Sequence, residues 1–266
     1  MQASEDERYE SLSIGLSLAM KNTCVQEHHF DSHSTDDYAG PNLTPLFNKE
    51  VVRSAIRKNS NVTRVLDFGC GNGKYGYTEY LLREGFQVSF TDISRKSVAA
   101  LAGRLSAMNI SFDKCHAGEI HDLKRPEMMN YFDTVVFGDV LHHLTFDDTA
   151  SILSSLKGLL KKNGEIVAIE PNGSCPIWRL MPLYNKEFIW EVEKNIRYCT
   201  KQCLTKKFTD AGFRIVRYEY IRMLPIYLVG NFRLFRILDR FLVSLPIVNR
   251  LSQYSLIVAR QSDSES

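Results

Sequence analysis

Two kinds of apolar pattern alternate along the first two-thirds of the chain. Short continuous runs recur at Val65 to Phe68, Phe86 to Thr91, Ile110 to Cys115, Phe132 to Val136 and Glu165 to Glu170. Runs of that length suit strands buried on both faces of a parallel sheet. Between them, apolar residues repeat at helical spacing. Asn42 to Ile56 predicts a helix with Pro45 in its first turn, and Lys74 to Glu84 predicts another closed by Gly85. Val98, Leu101, Ala102 and Leu105 form a stripe behind a capping residue at Ser94. Ile152, Leu153, Leu156, Leu159 and Leu160 follow a capping box of Thr145 and Asp148, with Lys157, Lys161 and Lys162 in the last turn and Asn163-Gly164 as the stop. This alternation predicts an α/β fold with a doubly wound, mostly parallel sheet. Farther on, Cys199 to Ala211 suits a helix, and Arg214 to Ile221 and Tyr254 to Ala259 suit two more strands.

The stretch after the first apolar run carries the chemistry. Asp67-Phe68-Gly69-Cys70-Gly71-Asn72-Gly73 places glycines at alternate positions between a strand and a helix start. Glycine permits positive φ and lets a ligand approach bare N–H groups, so the loop predicts a nucleotide-like ligand. Gly71, Gly73 and Gly76 also spell the dinucleotide fingerprint, with Asp92 at about the distance of a ribose-binding acid. A carboxylate at Asp67, two residues before the first glycine, would repel a pyrophosphate and attract a ligand bearing an ammonium and a sulfonium.

With these residues the chain resembles the class I S-adenosylmethionine-dependent methyltransferases of small-molecule type, whose first motif is similar to Leu66-Asp67-Phe68-Gly69-Cys70-Gly71-Asn72-Gly73. Asp139-Val140-Leu141-His142-His143-Leu144, after the fourth strand, resembles the family again, as does Leu159 to Asn172. Enzymes that methylate adenine or glutamine amides carry an Asn/Asp-Pro-Pro-aromatic sequence where this chain has Gly138-Asp139-Val140-Leu141. The resemblance implies a Rossmann-like seven-stranded sheet whose last two strands form a hairpin. It implies S-adenosylmethionine as cofactor, held by Asp67, Gly69, Cys70, Gly71, Asn72, Gly73, Asp92, Ile93, Glu119, Ile120, Asp139 and Val140, with Asp92 on the ribose diol and Glu119 or Ile120 beside the adenine. An N-terminal cap over residues 1–40, including His29, Phe30 and Tyr38, is also implied, ahead of a methyltransferase domain over 41–266.

Methyl transfer from a sulfonium uses a donor that is already activated, so alignment does most of the work. A hydroxyl acceptor must also lose a proton. His143 or His142 at the end of the fourth strand could take it, and the alternative is that one packs on a helix while the other bonds the loop. The expected reaction is O-methylation of a small or lipid-like molecule. Two alternatives are a protein of the same fold that binds the nucleoside but catalyses another reaction or scaffolds a partner, and a nicotinamide-dependent dehydrogenase, which Asp67 disfavours.

Composition narrows this modestly. The 266 residues suit one α/β domain with additions, and a formal charge of +2 gives no case for nucleic-acid binding. The six cysteines show no paired C-x-x-C spacing, and the His28-His29-Phe30-Asp31-Ser32-His33 cluster lacks helical metal-ligand regularity, so no metal site is expected. Met1 to Glu10 is acidic and the apolar Ile14 to Met20 lacks the basic flank of a signal peptide, so a cytoplasmic location is expected. Two insertions interrupt the core. Residues 174–198, rich in aromatics, fall where the acceptor would lie. Residues 222–252 are apolar and basic, too long for a structureless loop, and expected to be helical, serving a peripheral membrane contact, a hydrophobic acceptor or a homodimer.

Overall fold

The computed structural model describes residues 46–58, 62–74, 76–184, 193–225, 228–229 and 232–262. The expected N-terminal cap, with His29, Phe30 and Tyr38, lies outside them, as does the start of the helix expected at Asn42.

One seven-stranded sheet organises the chain: β1 (Arg64–Phe68), β2 (Gln87–Asp92), β3 (Cys115–Ala117), β4 (Phe132–Gly138), β5 (Leu160–Pro171), β6 (Phe213–Ile221) and β7 (Tyr254–Gln261). Its order is β3-β2-β1-β4-β5-β7-β6, parallel except that β7 runs antiparallel between β5 and β6. The helices are α1 (Leu46–Ala55), α2 (Thr78–Arg83), α3 (Arg95–Ala107), α4 (Phe146–Leu156), α5 (Ile177–Tyr184), α6 (Lys201–Asp210) and α7 (Arg233–Ser244).

Strand periodicity divides the core. Val65, Val136, Val167 and Ile169 face one side, packing with Val52 and Ala55 of α1 and Leu81 of α2. Leu66, Val135, Phe137, Ile166 and Ala168 face the other, against Leu153 and Leu156 of α4 and Leu204 and Phe208 of α6. Ser94 caps α3 by accepting from the Ser97 N–H, and Thr145 caps α4 by accepting from Asp148, as their sequence positions imply.

Three boundaries differ from the sequence pattern, each because a tertiary contact overrides it. Helix α2 begins at Thr78 instead of Lys74, since Asp67 Oδ2 accepts from the Tyr77 N–H at 3.2 Å and the Thr78 hydroxyl at 2.6 Å, fixing the first turn there. Strand β3 pairs from Cys115 instead of Ile110. The preceding Asp113 carboxylate is taken up by Gln87, Ser89 and Tyr131, and Ile110 and Phe112 pack beside α3. Helix α4 ends at Leu156, and after a turn over 157–159 the residues from Leu160 through Asn163-Gly164 already belong to β5, where Lys161 pairs with Asp133 at 2.7 Å.

The β6–β7 connection, residues 222–253, leaves and re-enters the sheet at one point. The Gln253 N–H donates to the Arg222 carbonyl at 2.7 Å, and Gln253 Nε2 donates to the Met223 carbonyl at 3.0 Å. Asn172, just past β5, donates through Nδ2 to the carbonyls of Arg250 and Ser252 at 2.8 and 2.7 Å. Within this connection the chain is helical at α7 and in a 3-10 turn over Val248–Leu251.

Candidate active site

The sheet order sets the carboxyl ends of β3, β2, β1 and β4 side by side, which brings together the loops that carry most of the expected ligand residues. The glycine loop leaves β1 pinned to β2: the N–H groups of Gly69 and Cys70 both donate to the Thr91 carbonyl, at 2.8 and 3.1 Å. Gly69 has φ +76°, and a Cβ there would sit 2.5 Å from Val140 Cγ2, so glycine is needed for both backbone and space. Gly71 differs. Its φ is +53°, yet a Cβ would meet nothing within 4 Å among the described residues, so the loop is open at this residue on their side. Asn72 braces the next turn by accepting from the Lys74 N–H at 3.0 Å, and Gly73 donates to the Cys70 carbonyl at 3.1 Å.

Asp92, at the end of β2, accepts from the Gly71 N–H at 2.8 Å and from the Ser94 N–H at 2.9 Å. The sequence pattern marks it for a ribose diol, but not as the residue that shapes the glycine loop. Ile93 beside it is half-buried. The Gly118 N–H donates to the Asp92 carbonyl at 3.0 Å, which draws the loop after β3 to the same edge. On that loop Glu119 is exposed and bonded to His121 at 2.6 Å, while Ile120 is buried in the core. Cys70 is buried, and burial pushes its thiol well above the usual range.

Asp67 is only 1 % exposed, with its carboxylate turned to the start of α2. Burial raises its pKa to about 6, against the lowering effect of the Thr78 and Tyr77 bonds. The carboxylate thus holds the turn that follows the glycine loop.

Beyond β4 lies a network that the sequence did not reveal. Glu170, fully buried at the end of β5, accepts from the Val140 and Leu141 N–H groups at 2.9 and 2.8 Å and from the His142 N–H at 3.3 Å. Its Oε2 also meets His142 Nδ1 at 2.9 Å, and His142 Nε2 meets Glu193 at 3.1 Å. Burial alone would lower the pKa of His142, but the bonds to Glu170 and Glu193 outweigh it and raise it to about 10. His142 is thus a buried imidazolium bridging two carboxylates, one on the sheet and one on the 174–198 insertion. The His143 ring lies beside it, with centroids 3.9 Å apart and the planes inclined at 46°. The ligand atoms of His142, His143 and Glu193 lie within 4.8 Å of one another, near enough to hold a metal, and the group's one carboxylate, Glu193, also pairs with the His142 ring.

Asp139 adopts φ +58° between β4 and Val140, and its buried Oδ1 has no hydrogen-bond partner among the described residues. Burial and the neighbouring Glu170 charge raise its pKa to about 7, opposed by His142 and Arg222. Arg222 lies over the Tyr254 ring at 4.3 Å, and the buried hydroxyl of Tyr77 likewise lacks a partner among the described residues. Orphaned polar atoms of this kind mark a place where a ligand or water completes the bonding.

Residues 35–218 match the family model described as a methyltransferase domain. The chain belongs to this family. It is a class I S-adenosylmethionine-dependent methyltransferase by its family match and fold, and S-adenosylmethionine is its cofactor. No curated protein sequence is significantly similar to it. Among solved structures it is similar to an S-adenosylmethionine-dependent methyltransferase from Archaeoglobus fulgidus, at 18% identity over 81% of this chain and 94% of that one, with a TM-score of 0.55. It is also similar to magnesium protoporphyrin IX methyltransferase from Synechocystis PCC 6803 with bound S-adenosylhomocysteine, at 16% identity over 91% and 100%, with a TM-score of 0.57. A third is geranyl diphosphate C-methyltransferase from Streptomyces coelicolor, in complex with Mg2+, geranyl diphosphate and S-adenosylhomocysteine, at 15% identity over 81% and 79%, with a TM-score of 0.54. At these identities the likeness is one of fold.

The residues present fit the cofactor. An open glycine turn at Gly71, braced by Asp92 and bordered by the loops after β3 and β4, is a cradle that a side chain would fill.

Proposed function

We propose that this chain methylates a hydroxyl group of a small, hydrophobic or lipid-like acceptor in the cytoplasm. S-adenosylmethionine supplies a methyl group already activated on a sulfonium. The observation that carries the reading is the open turn at Gly71 beside Asp92. In it, the 69–73 loop holds the amino-acid portion of the donor over Asp67, Asp92 takes the ribose diol, Ile93, Glu119 and Ile120 border the adenine, and Asp139 and Val140 wall the side toward the acceptor. His143, beside the His142 ring at the end of the fourth strand, would take the acceptor's proton.

The 174–198 insertion, tied to the site through Glu193, would cover the acceptor, and the 222–252 element would serve it as a peripheral membrane contact or a homodimer surface. Mass spectrometry of products from a panel of apolar alcohols and phenols with isotope-labelled donor tests the reading. Label on oxygen is the expected result, and label on nitrogen or carbon overturns O-methylation. Donor binding with no methylated product across hydroxyl, amine and carbon acceptors would favour a protein of this fold that performs another reaction or scaffolds a partner.

A further inference from the structure

Helix α7 is turned inside out. In a surface helix of a globular domain the apolar stripe faces the core. Here Leu234, Ile237, Leu238 and Phe241, spaced as one stripe, are exposed at 73, 57, 41 and 58 %. The helix's only acid, Asp239, lies nearly opposite that stripe and is buried, its Oδ1 accepting from the N–H groups of Met223 and Leu224 at 2.8 and 2.7 Å. Arg233, Arg236 and Arg240 are exposed along one flank of the stripe. The apolar surface continues past both ends of the helix, through Phe232 before it and Ile247 and Leu251 after it. Ile247 stands 74 % exposed at φ +73°, a conformation that a β-branched residue rarely adopts.

We propose that this face seats α7 in the headgroup region of an anionic lipid bilayer. The buried Asp239 fixes which way the helix points, so the outward surface offers apolar side chains and cationic charge with no acid among them. An interfacial helix needs that combination: the stripe enters the acyl boundary while flanking arginines reach the phosphates. No helix among the described residues is long and apolar enough to cross a membrane, so the contact is peripheral. The contact also reaches the site, because Asp239 holds Met223 and Leu224, and the adjoining Arg222 lies against Tyr254 beside Asp139.

The test does not depend on the acceptor, since vesicle binding is read without cofactor or substrate. The full chain is sedimented with vesicles of phosphatidylcholine alone and of phosphatidylcholine with phosphatidylglycerol, at low and high salt. Binding to the anionic vesicles that weakens with salt is expected. Each basic side chain near an anionic leaflet raises partition about fivefold, so replacing Arg233, Arg236 and Arg240 by Glu should lower it on the order of a hundredfold or more. A second variant, Ile237→Gln with Phe241→Gln, should reduce binding at low salt as well. All five positions are exposed, so circular dichroism should be unchanged. Absence of binding to the anionic vesicles at low salt, or binding indifferent to both variants, overturns the proposal. So does a dimer in analytical ultracentrifugation that Ile237→Gln with Phe241→Gln dissociates while vesicles are ignored, which would assign the face to a second copy of the chain.

Discussion

Replacing Glu170 by Gln tests the network behind β4 most directly. Gln keeps the size and one carbonyl oxygen, so the Val140 and Leu141 N–H groups at 2.9 and 2.8 Å retain an acceptor. What is lost is the charge facing His142 Nδ1, at 2.9 Å in a site without water access. Removing one partner of a buried ion pair costs about 3–5 kcal/mol, because the other charge is left uncompensated. Glu193 still reaches the imidazolium from a half-buried position, which favours the lower end. At about 2–4 °C per kcal/mol for a domain of this size, the melting temperature should fall by roughly 6–15 °C.

The pH dependence supplies a second signature. His142 binds its proton more tightly folded than unfolded, since its pKa is raised to about 10 against an ordinary value of 6.5. The stability this contributes is complete below about pH 6.5 and is lost as pH rises through about 10. Asp67 and Asp139, whose folded pKa values are raised, also make the parent less stable as pH rises through them, so the comparison must be with His142→Gln, which keeps both. Urea unfolding of parent, Glu170→Gln and His142→Gln at pH 6, 8 and 10 provides the readout. The gap between parent and His142→Gln should narrow steadily toward pH 10. A Glu170→Gln protein within about 1 kcal/mol of the parent at pH 7, or a gap indifferent to pH, would refute the buried ion pair.

Other substitutions separate ligand roles from structural ones. Gly71→Leu should cost only about 1–2 kcal/mol of stability, from the left-handed backbone, yet abolish S-adenosylmethionine binding in calorimetry, whereas Gly69→Leu should destabilise more because its side chain meets Val140. Comparable calorimetric affinity of the parent for NAD would sink the cofactor assignment of the loop. Asp92→Ala should weaken donor binding by about tenfold or more and loosen the 69–73 loop, read as faster amide exchange at Gly71. His143→Ala should lower kcat on the order of a hundredfold with donor affinity nearly unchanged, and an unchanged kcat would leave His143 a packing residue.

How far the sequence revealed this architecture depended on the range of each determinant. Val65 to Phe68 and Phe132 to Val136 announce buried strands because both faces are apolar, and the Ser94 and Thr145 caps are local signals that the structure reproduces. The start of α2 was displaced by a carboxylate ten residues upstream, which no local propensity encodes. Glu170 read only as the polar end of a strand. A charge closing an otherwise apolar run must find partners if buried, and that was the available signal; that its partners would be three backbone N–H groups and His142 depended on β4 and β5 being neighbours. The apolar and basic character of 222–252 was plain in the sequence. That Asp239 would be the inward residue was not, because its partners are backbone groups of Met223 and Leu224.

The single exit and re-entry of residues 222–253 has an evolutionary consequence. With the Gln253 N–H 2.7 Å from the Arg222 carbonyl, the two ends already stand where a tight hairpin would place them. The whole segment could be shortened to a turn, lengthened, or exchanged for another of unrelated sequence without shifting the register of β6 on β7. The junction works as a socket, in which selection or an engineer can refit the chain's outer surface, provided that the new segment holds Met223 and Leu224 as Asp239 does and so keeps Arg222 against Tyr254 beside Asp139.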